Sequence, residues 1–236
     1  MVSSALFAVL GLAAAVVAAP PRPRMLAADD VILLNHDGTS QIMKAADYDA
    51  LEAAAPAPAS IASFNATSTP GLLRRGCAQS TEVQVTADDQ FLNWDVAISP
   101  IVSSLGDSQA TVGVSTGFEI GNSLTIGSEI SVGGDAIIGM SLSMDLDISW
   151  STSLEHSLDY EVPANMYGVI VSQPYVRRVQ GNLLTGCTDS PTKTYFMADT
   201  YESQGYGGLS WVKGVIRLCS SETYPIPFCN GQGEHK

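Results

Sequence analysis

Residues 112–154 read VGVSTGFEIGNSLTIGSEISVGGDAIIGMSLSMDLDISWSTSL, and the stretch alternates almost without interruption. In its first half the even positions carry Val112, Val114, Phe118, Ile120, Leu124, Ile126, Ile130 and Val132. The odd positions carry Gly, Ser, Thr and Glu. The second half keeps the parity, with Ile138, Met140, Leu142, Met144, Leu146, Ile148, Trp150 and Leu154 on even numbers. Side chains alternate faces along a strand, so each half reads as an amphipathic β-strand. Gly133-Gly134-Asp135 between them is a turn signal.

Parity constrains how the halves pair. A three-residue loop at 133–135 sets Phe118 opposite Trp150, Ile120 opposite Ile148, Leu124 opposite Met144, Ile126 opposite Leu142 and Ile130 opposite Ile138. Apolar groups then meet across the ribbon, the arrangement that stabilises cross-strand pairs. Asn122 and Ser128 are the polar exceptions, facing Leu146 and Met140. The alternation runs about twice the usual strand length of ~3–10 residues. Two readings fit it. One is a β-sandwich with long strands. The other is a membrane-inserting arm, since barrel strands of ~9–11 residues alternate in the same way.

Outward from this stretch, further strands are expected at 82–86, 91–99, 166–172, 175–184, 193–199 and 209–219. Pro163, Pro174, Pro191, Pro225 and Pro227 mark loops or edges. The expected fold is all-β: an antiparallel β-sandwich carrying a long amphipathic β-hairpin.

The N-terminal part reads as processing signals. Ala5 to Ala19 is an apolar run ending in small residues before Pro20-Pro21, the pattern of a secretory signal peptide cut after Ala19. Leu72-Leu73-Arg74-Arg75 resembles a kexin-type dibasic site, so residues 20–75 read as a propeptide. A short helix is expected within it over Ser40 to Ala54, and nowhere else. The sequon Asn65-Ala66-Thr67 lies in its Ala/Pro/Ser-rich linker. The mature domain is then 76–236, and the expected location is extracellular.

That mature part holds 6 basic and 18 acidic side chains, a net charge of −12. Such a surface repels phosphate backbones and excludes nucleic acid as a partner. Cys77, Cys187, Cys219 and Cys229 all follow the dibasic site. An even count in an exported chain reads as two disulfides. Three pairings are possible; closeness of domain termini favours Cys77–Cys229 with Cys187–Cys219. Their spacing matches no zinc pattern.

No catalytic, metal or cofactor site is expected. Gly113-Val114-Ser115-Thr116-Gly117 fits the nucleophile-elbow pattern, yet that device needs a strand, a sharp turn and a helix. Here it sits within alternating strand sequence. His156 and His235 are the mature part's imidazoles, His156 read as a surface group near a strand end. Asp145 and Asp147 read as acids on a solvated strand face. Tyr195, Tyr201, Tyr206 and Trp211 offer a sugar-stacking platform, against the alternative of core and edge packing.

The segments Arg74-Arg75-Gly76-Cys77, Tyr160-Glu161-Val162-Pro163, Gly186-Cys187, Gly208 to Cys219 and Tyr224 to Cys229 resemble small secreted effector-like proteins of filamentous ascomycete fungi. Asp30-Val31-Ile32-Leu33-Leu34-Asn35 followed by Asp37-Gly38 is similar to that group's propeptide opening. The resemblance implies secretion and non-catalytic action on a host or competitor, through a host protein or a glycan. It supplies no catalytic residues. The alternating stretch with Tyr160 to Ala164 also resembles aerolysin-like pore-forming toxins. That likeness implies a homo-oligomer that meets a membrane through 112–154, with Glu119, Glu129, Asp145 and Asp147 lining a cation-favouring lumen.

Overall fold

The structure, a computed structural model, describes residues 24–54, 79–127, 134–154 and 157–236. Ala19, Asn65, Arg74, Arg75, Cys77, Gly133 and His156 lie outside the described residues. The elements in chain order are β1 (Arg24–Leu26), β2 (Asp30–Leu34), β3 (Ser40–Lys44), α1 (Ala45–Ala54), β4 (Gln79–Leu92), β5 (Val96–Ala97) and β6 (Val102–Ser104). There follow β7 (Ala110–Gly113), β8 (Glu119–Gly121), β9 (Ser123–Ile126), α2 (Gly134–Leu142), β10 (Ser149–Ser151), β11 (Ser153–Leu154) and β12 (Leu158–Val162). The last are β13 (Met166–Cys187), β14 (Ser190–Thr200), β15 (Ser203–Tyr206), β16 (Leu209–Val212), β17 (Gly214–Ser221), β18 (Ile226–Pro227) and β19 (Glu234–His235). The fold is mostly β with antiparallel sheets, as the alternation implies.

One strand organises the rest. β13 has 22 residues, a span of roughly 70 Å at ~3.3 Å per residue. Its first part, Gly168 to Pro174, is buried on both faces, and its second part buries about every other residue. Along one edge run β6, β5 and β4 in turn. Along the other run β17, opposite Tyr167–Pro174, and β14, opposite Arg177–Cys187. Gly181 is needed where a bulge in the β4 pairing brings the Gln84 carbonyl and the Phe196 ring against its backbone. A Cβ there has no room.

Each part of β13 carries its own core. Ile170 joins Ile98, Val112, Val114, Leu158, Tyr160, Trp211, Ile216 and Leu218 in the larger one. The two polar tips there are satisfied: Trp211 Nε1 donates to Ser172 Oγ at 2.9 Å and Tyr160 Oη to the Ile216 carbonyl at 3.3 Å. Val179 and Leu183 join Phe196, Ala198, Ile138 and Met144 in the smaller one.

Within 112–154 the parity of faces holds in the strands but not through α2 or at Thr116 and Ile148, which are exposed, and a continuous hairpin does not form. The even residues Val112, Val114, Ile138, Met144 and Thr152 are buried, whereas Ser123, Thr125, Ser141, Asp145, Asp147, Ser149, Ser151 and Ser153 are exposed. β8 and β10 pair antiparallel with Ile120 opposite Trp150. That register is two residues from the expected one, the smallest slip that keeps every side chain on its face. Phe118, Ile120 and Trp150 pack on the larger core. β9 then turns away and pairs with β14, Ile126 opposite Phe196. In place of the returning strand stands α2, which begins at Gly134 and corrects the expectation of a helix only before residue 76. The cause is visible in Ala136-Ile137-Ile138, where three apolar residues in a row break period two. Ile138 and Leu142, four apart, bring one helical face onto the smaller core. Ser143, at φ 52°, closes α2, with Met144 N–H donating to the Gly139 carbonyl at 2.9 Å and Ser143 N–H to that of Met140 at 3.4 Å. The helix turns Met140 outward, 75% exposed.

Two further expectations are corrected. Cys219 bonds Cys229, so neither half of the favoured pairing forms. Both sulfurs belong to one local loop that closes the chain end, and no described cysteine is free. The expected helix over 40–54 is a strand, β3, followed by α1. Moreover, residues 24–54 are woven into the body: β2 lies between β3 and β17, and β1 runs parallel to β12.

Replacing Phe196 by Ala is expected to cost about 3–5 kcal/mol, since its ring is fully buried at the centre of the smaller core. Denaturant unfolding checks this; a loss below about 1 kcal/mol would contradict the packing described.

Candidate functional site

The edge of β13 that holds both β17 and β14 is interrupted between them. β14 ends at Thr200 and β17 begins at Gly214, and the intervening chain leaves the β13 ladder as the hairpin β15–β16, whose Leu209, Trp211 and Val212 enter the larger core. Pro174 sits at the handover, where its missing N–H is not required by β17; its carbonyl accepts from Asn93 N–H at 2.8 Å on the opposite edge. Gly214, at φ 147°, closes the gap from the β17 side, with the Gln173 carbonyl against its backbone. The discontinuity leaves a cleft of about 210 Å³.

The cleft draws on distant parts of the chain. β13 supplies Tyr175, Val176 and Arg177; β4 supplies Gln90; the end of β14 supplies Thr200, Tyr201 and Glu202. His36, Lys213 and the 122–148 segment complete it. The His36 ring lies 4.3 Å from that of Tyr175, centre to centre. Tyr201 meets the edge of Trp150 at 6.4 Å, and its hydroxyl accepts from Asn93 Nδ2 at 3.0 Å. Burial pushes the Tyr175 and Tyr201 phenols above their ordinary pKa. Both are neutral hydroxyls at any physiological pH.

The cations at the cleft are already engaged. Arg177 makes a two-pronged pair with Asp88, Nε to Oδ1 at 2.9 Å and Nη2 to Oδ2 at 2.6 Å. That hydrogen bonding raises the guanidinium's pKa further. Lys213 Nζ donates to Glu202 at 2.5 Å and to the His36 carbonyl at 2.7 Å. The lining is thus a set of amides, phenols and ring faces beside paired cations, with the exposed Asp145 carboxylate at its border. It suits a neutral polar ligand better than a phosphate or a carboxylate.

Asn122 ties the alternating segment to this cleft. Its Oδ1 accepts from Tyr201 N–H at 2.8 Å, its Nδ2 donates to the Asp145 carbonyl at 2.5 Å, and its own N–H donates to the Ile148 carbonyl at 2.9 Å. A polar residue interrupting an apolar face was the sequence signal for this clamp, although its partners were not legible.

The other singled-out residues scatter. Of the four platform aromatics only Tyr201 reaches the cleft. Trp211 is core, Tyr195 is exposed on β14, and Tyr206 ends β15. The ring that joins Tyr201 is Tyr175, which sequence reading passed over inside a strand. Ser115 follows β7 and is succeeded by β8, so no helix follows it; its N–H donates to the Ile98 carbonyl at 3.0 Å. Asp145 borders the cleft, while Asp147 N–H turns back onto Asp145 Oδ1 at 3.3 Å.

Asp95, Cys219 and Cys229 approach one another closely enough to suggest a metal site. The two sulfurs are bonded together and are not ligands. Asp95 instead accepts from Cys229 N–H at 2.5 Å, Asn230 N–H at 3.1 Å and Gln173 Nε2 at 2.9 Å, with His235 Nε2 at 3.5 Å. This buried carboxylate pins the disulfide loop to β13.

No protein-family model matches the chain, and comparison with curated proteins finds no match.

Asn122→Ala is expected to cost about 1 kcal/mol, because it leaves the part-buried Tyr201 N–H without its acceptor and removes the bond to the Asp145 carbonyl. Limited proteolysis should then cut first between 122 and 148. An unchanged cleavage pattern would show that Asn122 does not hold the segment.

Proposed function

We propose that this protein is secreted and acts outside the producing cell, without catalysis, by binding a glycan on a host or competitor surface through the cleft beside Tyr175 and Tyr201. One observation carries the reading: the cleft's cations are internally paired, which leaves Gln90, the Tyr175 phenol, the His36 and Tyr201 ring faces and the Asp145 carboxylate to meet a ligand. Saccharides are bound by such groups, their hydroxyls by planar polar side chains and their C–H faces by aromatic rings. The signal-like N-terminus and the cysteine usage support export with two disulfides in a sandwich-like body. The acidic surface turns away anionic partners.

A second reading has its own support. The sequence over 112–154 keeps a period of two while part of it is folded as α2, and such conflict between local preference and structure is typical of functional segments. Leu124, Ile126, Ile138, Leu142 and Met144 are folded against the long sheet. Released, the same residues would form one apolar face of a hairpin long enough to cross a bilayer. This is the pore-forming alternative.

A glycan array followed by calorimetry tests the first reading. Gln90→Ala and Tyr175→Phe should each lower affinity at least about tenfold, the worth of one ligand hydrogen bond, with the melting temperature unchanged. Absence of binding to any glycan, or unchanged affinity in both variants, would overturn it. For the alternative, dye-loaded phospholipid vesicles at neutral and acidic pH decide: leakage at micromolar protein supports it and intact vesicles remove it.

A further inference from the structure

The sequence reads residues 20–75 as a propeptide to be discarded, yet the fold treats part of them as its own interior. β2 is a central strand. Its Val31, Ile32, Leu33 and Leu34 pair with Arg217, Ile216, Val215 and Gly214 on one side. On the other they pair with Met43, Ile42, Gln41 and Ser40 of β3. Both of its faces are covered. Ile32 and Leu34 enter the larger core with Tyr160, Trp211 and Ile216, none of them exposed by more than 2%. Val31 and Leu33 enter a separate cluster with Val215 and with Tyr48 of α1. Leu26 of β1 adds to the larger core from beside β12.

Polar contacts cross the same boundary. Arg217 Nη1 meets Asp49 at 3.3 Å, Lys213 Nζ meets the His36 carbonyl at 2.7 Å, and Gln204 Nε2 donates to the Thr39 carbonyl at 2.9 Å. Removing the segment would strip β17 of a strand partner, leaving a row of N–H and C=O groups, and would open both clusters to water. It would also take one wall, His36, from the cleft.

We propose that residues 24–54 are a permanent part of the working protein, held without covalent linkage after cleavage at Arg75–Gly76. The cut itself is hydrolysis by a dibasic-specific endoprotease: water adds across the peptide bond, leaving a carboxylate on Arg75 and an ammonium group on Gly76. The segment contains no cysteine, so strand pairing and apolar burial alone retain it. The piece upstream of the cut, residues 20–75, holds 5 basic and 6 acidic side chains and is close to neutral. Net charge therefore contributes little to the association, and salt, which screens charge, does not release the piece. Strand addition to a sheet is a known mode of recognition, and here the added strand is encoded in the same chain and folds together with its sheet.

The test starts from the full chain purified uncut and then digested with a dibasic-specific endoprotease. Denaturing mass spectrometry should show two pieces. Native mass spectrometry and gel filtration, at low and at high salt, should show one species with their summed mass. A folded large piece alone would overturn the proposal. So would a chain that resists the protease while a peptide spanning residues 70–80 is cut. Ile32→Asp supplies a second arm. Cutting that variant should release the segment and leave the large piece unfolded or aggregated, and a soluble, folded large piece would contradict the assignment. Glycan affinity, measured separately, reports on the cleft and does not enter this outcome.

Discussion

The structure depends on the pairing of successive strands along both edges of β13. A strand that long can serve two cores only if its neighbours change along its length, and they do so at Pro174 and Tyr175. Upstream, β17 and the β5–β6 edge flank it, the larger core covers the Ile170 face, and the cluster around Ile226 covers the Val169 and Val171 face. Downstream, β4 and β14 flank it, and the alternating segment covers one side. The change of partner is also what makes a cleft. A ladder without interruption would have no gap for Tyr175, Tyr201 and Asn122 to line.

Much of this was legible because period two is a strong signal. The strand character of 166–172, 175–184 and 193–199 and the inward face of Val112, Val114, Phe118 and Ile120 follow from it, whereas the run of one strand through Pro174 does not. What sequence could not show is where a face would find its partner. The even face meets the long sheet as readily as it meets its own second half, and Ile137 beside Ile138 tips that half toward α2. The register shift between β8 and β10 kept parity, so the pattern could not distinguish it.

The N-terminal segment carries a signature of its own place in the sheet. Val31-Ile32-Leu33-Leu34 is a short continuous apolar run, the signature of a strand buried on both faces. Processing signals say where a chain is cut, whereas burial says what stays together, and the two need not agree. The disulfide was misassigned: proximity of termini outweighed the simpler geometry of a ten-residue separation. Tyr175 and Arg177 escaped notice because a cleft at a strand junction has no sequence motif.

The most direct test of the central claim is hydrogen exchange along β13 under native conditions. If this strand unites both cores, the interior amides of its two parts exchange only through global unfolding, in one slow class. Protection that is high over residues 167–174 but lost early over 177–187 would mean two separable units, and the spine described here would not exist.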